Sequence, residues 1–269
     1  MNEPVVFLKL GGAVLTAKDR REAVRAEVLA RLAAEVAGWW RSGRRRLVLA
    51  HGSGSFAHVA VREAGLLDRP GDPLAVARVA ASARRLDALV VEALVAEGLP
   101  ALPVPGSLLA LVDGGRVVGV RSALVRDVLA AGLVPVVYGD AAPDRTRGGA
   151  VASTEPLLAA LAADLRPVRI VLATDVDGVF AADPHAHPDA RPIGRLGPAE
   201  AEALAGGLGG VRRDATDVSG GMASKVTLML AAAAAAPDME VRIVSGLRPG
   251  AVAAALAGDP DAGGTLVVG

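Results

Sequence analysis

Three lysines, Lys9, Lys18 and Lys225, stand against twenty-six arginines in the 269-residue chain. Codon bias in a GC-rich genome accounts for arginine excess of this kind, so the retained lysines mark places where a guanidinium does not serve. An ammonium is a compact, mobile charge that can follow negative charge as it shifts over phosphoryl oxygens. Each lysine lies in or beside a glycine-punctuated turn. Lys9 closes the apolar run "VVFLKL" and is followed by Gly11-Gly12, with Lys18 nine residues beyond it. Lys225 follows Gly220-Gly221 in "TDVSGGMASK". Glycine amides at the end of a strand or the start of a helix are where α/β proteins bind anions. Each site has a plainer reading when taken alone: a snorkelling lysine at a strand end, or an exposed lysine on a capped helix.

Between them, "LVLAHGSGSFAHVAV" at 47–61 sets His51 and His58 around a turn of small residues. Gly52-x-Gly54-x-x-Ala57 fits a dinucleotide-binding turn, but that fingerprint occupies the first βα turn and needs an acidic residue about 20 positions on. Here it is the second turn, and a loop and a helix follow. The other reading is a cradle in which the Gly52, Ser53 and Gly54 amides hold a phosphate, with His58 one turn into the helix. His51 reads as structural. Further on, "TDVDGVFAADP" delivers Thr174, Asp175 and Asp177 into an Asp-Gly turn before Gly178 and Asp183. Paired acids there can bind Mg²⁺, cap the turn or contact ribose hydroxyls.

These groups need a scaffold, and β-branched runs alternate with Ala/Leu/Glu/Arg-rich stretches as in βαβ units around a mainly parallel sheet. Strands are expected near 5–10, 46–50, 101–104, 134–138, 169–173, 240–244 and 265–268. Helices are expected at 21–41, 55–64, 73–97, 122–131, 155–164, 198–205, 222–236 and 250–257. Gly114-Gly115 reads as a hairpin turn on one edge. The stretches 139–150 and 182–198 read as the loosest. A soft boundary near 165 divides an N-terminal lobe, 1–165, from a C-terminal one, 166–269, on one continuous sheet.

Composition excludes several classes. Twenty-nine basic and twenty-nine acidic residues balance, so no global field recruits nucleic acid or an anionic membrane. Without cysteine there is no disulfide, thiol catalysis or Cys-based zinc site. No basic leader precedes the first strand and no apolar run approaches the length of a membrane span, so a cytoplasmic protein is expected.

The motifs, taken in order, resemble the amino acid kinase superfamily, and within it the isopentenyl phosphate kinases. The carriers are Lys9-Leu10-Gly11-Gly12 with Lys18, "HGSGSFAH" at 51–58, Tyr138-Gly139-Asp140, "TDVDGVF", "GGMASK" and the terminal "GGTLVV". The likeness spans the chain. Ser53 and Ala57 stand where the family has glycines, and "AVASTEPLL" replaces an Asp-Asp pair, leaving Glu155 as the counterpart of the acid that orients the lysines.

The resemblance implies a three-layer αβα sandwich and transfer of the γ-phosphoryl of Mg·ATP onto isopentenyl phosphate by a homodimer. It implies that Lys9, Lys18 and Lys225 act on the phosphates and that Gly11, Gly12, Gly52, Ser53, Gly54, His58, Gly139 and Asp140 hold the acceptor. Thr174, Asp175, Asp177, Gly178, Asp183, Gly220 and Gly221 would line the nucleotide site, with Mg²⁺ carried by ATP. A fosfomycin-kinase-like enzyme shares Lys9, the glycines and His58; His51, Ser55 and Tyr138 favour the isopentenyl reading. A non-catalytic binding protein on the same fold and a nicotinamide oxidoreductase are the alternatives from other classes.

Overall fold

The computed structural model describes residues 3–17, 20–43, 46–184, 186–187, 189–207 and 221–269. The chain runs β1 (Val5–Leu10), α1 (Gly12–Leu15), α2 (Ala26–Arg41), β2 (Arg46–His51), α3 (Gly54–Ala64), α4 (Pro73–Ala96), β3 (Ala101–Pro105) and α5 (Gly106–Leu109). It continues through β4 (Ala110–Asp113), β5 (Arg116–Val120), α6 (Ser122–Ala130), β6 (Val134–Tyr138), β7 (Asp140–Asp144), β8 (Gly148–Ala152) and α7 (Thr154–Leu165). The remainder comprises β9 (Arg169–Thr174), β10 (Val179–Phe180), β11 (Pro192–Ile193), β12 (Arg195–Leu196), α8 (Pro198–Gly207), α9 (Gly221–Ala235), β13 (Glu240–Ser245), α10 (Ala251–Ala257) and β14 (Thr265–Val267).

Eight strands form one sheet in the order β12-β14-β13-β9-β1-β2-β6-β3, parallel except where β13 meets β14. The central strand β1 is buried along its whole length, and its alternation divides the core. Val6, Leu8 and Leu10 face a layer built on α2, α10 and the second half of α4, through Leu32, Val36, Leu86, Val90 and Val252. Val5 and Phe7 face the opposite layer with Leu157, Leu158 and Leu161 of α7 and Val226 and Met229 of α9. This is the expected three-layer αβα sandwich.

Three expectations change. The helix expected from residue 21 starts at Ala26, because residues 20–25 form a turn with Glu22 at φ 49°. In that turn Glu22 accepts hydrogen bonds from Ser82 and Arg85 of α4. Gly114-Gly115 does turn a hairpin, with both φ angles positive, but it joins β4 and β5 in a separate four-stranded sheet, β5-β4-β7-β8. The stretch expected to be loosest, 139–150, is mostly the β7–β8 hairpin of that sheet. Asp144 holds it by accepting from the Thr146 and Arg147 amides, and from Gly114 and Gly115 of the neighbouring hairpin.

Candidate active site

The parallel strands β1, β2, β9 and β13 end together, and the loops at those ends build the site, as in other open α/β sheets. Lys9 follows Val5 and Phe7 on the α7/α9 side of the sheet. It is 3 % exposed, and an ammonium there needs a partner. Glu155, in the first turn of α7, supplies one, with Lys9 Nζ 3.1 Å from its Oε1. Lys225, in the second turn of α9, points its Nζ to the same oxygen at 3.6 Å. Three elements far apart in the sequence, β1, α7 and α9, thus converge on one carboxylate. Burial opposes ionisation of Glu155, but the two ammonium charges outweigh it and hold its pKa below the ordinary carboxylate value. Lys18 and Gly220 lie outside the described residues. Gly221 opens α9.

The two glycine turns meet backbone to backbone. A Cβ on Gly12 would stand 2.5 Å from the Gly54 nitrogen, and one on Gly52 would stand 2.8 Å from the Gly12 nitrogen. Gly54 has φ +48°, and Thr16 Oγ1 would be 2.1 Å from its Cβ. Only glycines let these loops approach so closely.

Two of the amides expected to hold phosphate are committed elsewhere. Gly11 N–H donates to Ala173 O at 2.8 Å and Gly52 N–H donates to Leu10 O at 2.9 Å. Both bonds extend the sheet ladders by one residue, so these glycines shape the turns, and Gly12, Ser53 and Gly54 are left of the amides expected to hold phosphate. Ser53 is buried and its Oγ donates to Gly139 O at 2.6 Å, tying the turn after β2 to the end of β6. His58 is half-buried on α3, between the buried Ala57 and Val61.

Asp140, expected to hold acceptor, follows Gly139 at the start of β7. It is buried, and its carboxylate accepts from the amides of Ala141 at 2.8 Å and Ser107 at 3.3 Å, bracing β7 against α5. Burial pushes its pKa up. Gly139 beside it fits only as glycine, since a Cβ would lie 2.9 Å from Thr154 Oγ1.

On the β9 side, Thr174 is buried and donates to Val176 O at 2.8 Å. Asp175 is half-buried, and Asp177 and Asp183 are exposed. Gly178, at φ +127°, lies close to Thr265. Asp175 and Asp177 therefore sit in a bend whose Gly178 packs on the start of β14, and Asp183 lies beyond β10. Among the described residues there is no cluster of three His, Asp or Glu side chains able to hold a metal ion.

The model of the amino acid kinase family matches residues 4–245, from the first strand to the end of β13. The chain belongs to the amino acid kinase family. Within that family it is 34 % identical to the isopentenyl phosphate kinase of Methanothermobacter thermautotrophicus over 98 % of this chain and 99 % of that one. It is 36 % identical to the isopentenyl phosphate kinase of Haloferax volcanii, covering 92 % and 98 % of the two chains. A glutamate 5-kinase of Thermus thermophilus is 31 % identical over 95 % of this chain but 65 % of its own length. A solved isopentenyl phosphate kinase structure superimposes with a TM-score of 0.81 at 31 % identity, covering 98 % of this chain and all of that one. Kinases of this family are ATP-dependent phosphotransferases, so the αβα sheet and its glycine turns are those of a kinase.

Sequence reasoning missed the partners behind the glycine turns. His51 is fully buried at the end of β2, with Nε2 3.2 Å from Asp87 Oδ1 of α4 and its ring stacked on Tyr138. The sequence read His51 as structural, but Asp87 went unnoticed. Its only signal was an acidic residue at a position of α4 flanked by Leu86 and Val90, on the apolar stripe.

Proposed function

We propose that this kinase transfers the γ-phosphoryl of Mg·ATP to isopentenyl phosphate, giving the diphosphate. The observation that carries the reading is the Lys9–Glu155–Lys225 cluster at the strand ends, beside a glycine turn bearing His58. A phosphate monoester has its second pKa near about 6, so at neutral pH the acceptor is already a dianionic nucleophile and needs no general base. Glu155 suits such a reaction: an acid held ionised between two ammonium groups orients them and does not exchange protons. The barrier is repulsion between polyanions, where each pair of unit charges at about 4 Å costs about 4 kcal/mol at an effective dielectric near about 20. Lys9 would bridge the transferring group, and Lys225 and Lys18 would contact the ATP phosphates. Catalysis is then positioning and charge neutralisation of a loose transition state.

The acceptor phosphate would lie against the Gly12, Ser53 and Gly54 amides and His58, on the 1–165 lobe. The nucleotide would lie along the ends of β9 and β13 on the 166–269 lobe, its phosphates at the start of α9. No acidic cluster among the described residues would hold Mg²⁺, which would arrive on ATP. The isopentenyl tail suits the wall of small side chains that α3 and α4 share, with Ala57, Val61 and Val79. Beside that wall a cavity of about 370 Å³ is lined in part by Leu66, Pro70, Val151 and Ser153. Leu66 and Val151 pack against that wall and line the cavity as well. The implied homodimer is a matter for light scattering. No helix among the described residues is long and apolar enough to cross a membrane.

The test is ADP release with a panel of isopentenyl phosphate, dimethylallyl phosphate, fosfomycin and glutamate. Isopentenyl phosphate is expected to have the highest kcat/KM, and His58→Ala to lower it about a hundredfold or more, a loss typical of one transition-state donor. Preference for fosfomycin or glutamate would replace the acceptor, and near-normal turnover by His58→Ala would remove that residue from the site.

A further inference from the structure

On the sheet face opposite Lys9, the same strand ends carry a second buried polar pair that phosphoryl transfer does not use. His51 and Asp87 are 0 % and 1 % exposed, and His51 Nε2 lies 3.2 Å from Asp87 Oδ1. The imidazole is stacked on Tyr138 with ring centroids 5.5 Å apart. The other ring nitrogen, Nδ1, lies 3.2 Å from Gly52 O. A carbonyl oxygen only accepts, so Nδ1 carries a proton. Nε2 and the Asp87 carboxyl share one more, and the pair is neutral as a whole wherever that proton sits. Well-packed apolar side chains fill such a place at no loss of stability, so stability alone does not explain the pair.

The next peptide unit supplies the explanation. Gly52 C=O and Ser53 N–H belong to one planar peptide, and no cis bond occurs among the described residues, so the two groups point in opposite directions. A carbonyl drawn inward to His51 turns the Ser53 N–H outward, to the mouth between the glycine turns. The Ser53 Oγ bond to Gly139 and the Ser55 amide bond to Thr16 Oγ1 at 2.9 Å fix the loop on either side, but neither sets the tilt of that peptide. We propose that His51 and Asp87 are a positioning pair for the acceptor: they hold the Gly52–Ser53 peptide so that the Ser53 amide is presented to the acceptor's phosphate. The proposal rests on the phosphate-acceptor reading of the site.

Two variants separate this role from packing. In Asp87→Asn the side-chain amide donates to Nε2 while Nδ1 keeps its proton, so both KM values are expected to stay within about twofold of wild type. His51→Phe with Asp87→Leu keeps a ring on Tyr138 and leaves no buried charge, so this double variant is expected to fold with an undiminished Tm. It is expected to raise KM for isopentenyl phosphate at least about fivefold, the worth of one well-aligned hydrogen bond, with KM for ATP within about twofold. An unchanged acceptor KM, an equal rise in both KM values, or an Asp87→Asn enzyme as impaired as the double variant overturns the proposal. Long-range ¹H–¹⁵N NMR of the imidazoles separates this from the choice of acceptor. His51, identified by the signal missing from the double variant, is expected to show a protonated Nδ1, and an unprotonated Nδ1 overturns the proposal. If Nδ1 is protonated but wild type does not turn over isopentenyl phosphate, the acceptor assignment fails, and the KM comparison decides the pair's role with the panel member that is turned over.

Discussion

Glu155 stands between two ammonium groups, and that placement makes it the residue whose charge the site depends on. Its folded pKa is depressed, so its ionisation contributes stability that is present above the unfolded value and lost as pH falls through the folded one. Glu155→Gln removes this contribution, and it leaves Lys9 and Lys225 facing a neutral amide. Thermal unfolding as a function of pH is expected to show wild type losing Tm more steeply than Glu155→Gln below about pH 4, the ordinary range of carboxylates. The two curves should draw together as acid is added, and parallel curves would mean that Glu155 is not ionised between the lysines. Lys9 and Lys225 were legible in the sequence because rare lysines stand out against an arginine-rich background, whereas Glu155 was legible only through the family resemblance, as the counterpart of the acid that orients the lysines. The commitment of the Gly11 and Gly52 amides was not legible, because their acceptors, Ala173 and Leu10, become neighbours only when the sheet forms.

At the scale of elements, the two glycine turns are one unit, since the turn after β1 and the turn after β2 touch through backbone atoms alone. Gly12→Ala would drive a methyl to 2.5 Å from the Gly54 nitrogen, where no flexible side chain can give way. It is expected to cost about 3 kcal/mol or more, as overpacking against backbone does. Gly114→Ala meets nothing within 4 Å and bears only its positive φ, so about 1 kcal/mol is expected there. Urea midpoints at constant m-value measure both costs, and equal values would show that the turns can separate. Most strands and helices were legible from their apolar runs. The β7–β8 hairpin was not, because its Pro, Gly and Asp content reads as loop and what holds it is Asp144, bonded across to a different hairpin. The early start given to α2 failed for the same kind of reason: Glu22 is held in a turn by α4, far along the chain.

Over the whole molecule, the ends of the parallel strands carry polar groups on both faces of the sheet, Lys9 with Glu155 of α7 and Lys225 of α9 on one, and His51 with Asp87 of α4 on the other. The glycine turns lie between them. Under the proposed function, such a layout would give donor and acceptor separate supports on a continuous sheet. Hydrogen exchange is expected to slow at 174–178 and 221–225 with ATP, and at 52–58 with isopentenyl phosphate. Protection of the same segments by both ligands would undo the division into lobes at 165. The fold was readable from alternation and glycine placement, whereas which polar groups back the turns depended on pairings across the sheet. The most direct measurement is ADP release on addition of isopentenyl phosphate, by wild type and by Lys9→Met, a substitution that keeps the length of the side chain and removes its charge. Acceptor-dependent release by wild type, reduced by about 10² to 10³ in kcat in a Lys9→Met enzyme of unchanged fold, is expected if clustered ammonium charge drives the transfer. Release indifferent to the acceptor, or a Lys9→Met enzyme that keeps most of its kcat, would contradict it.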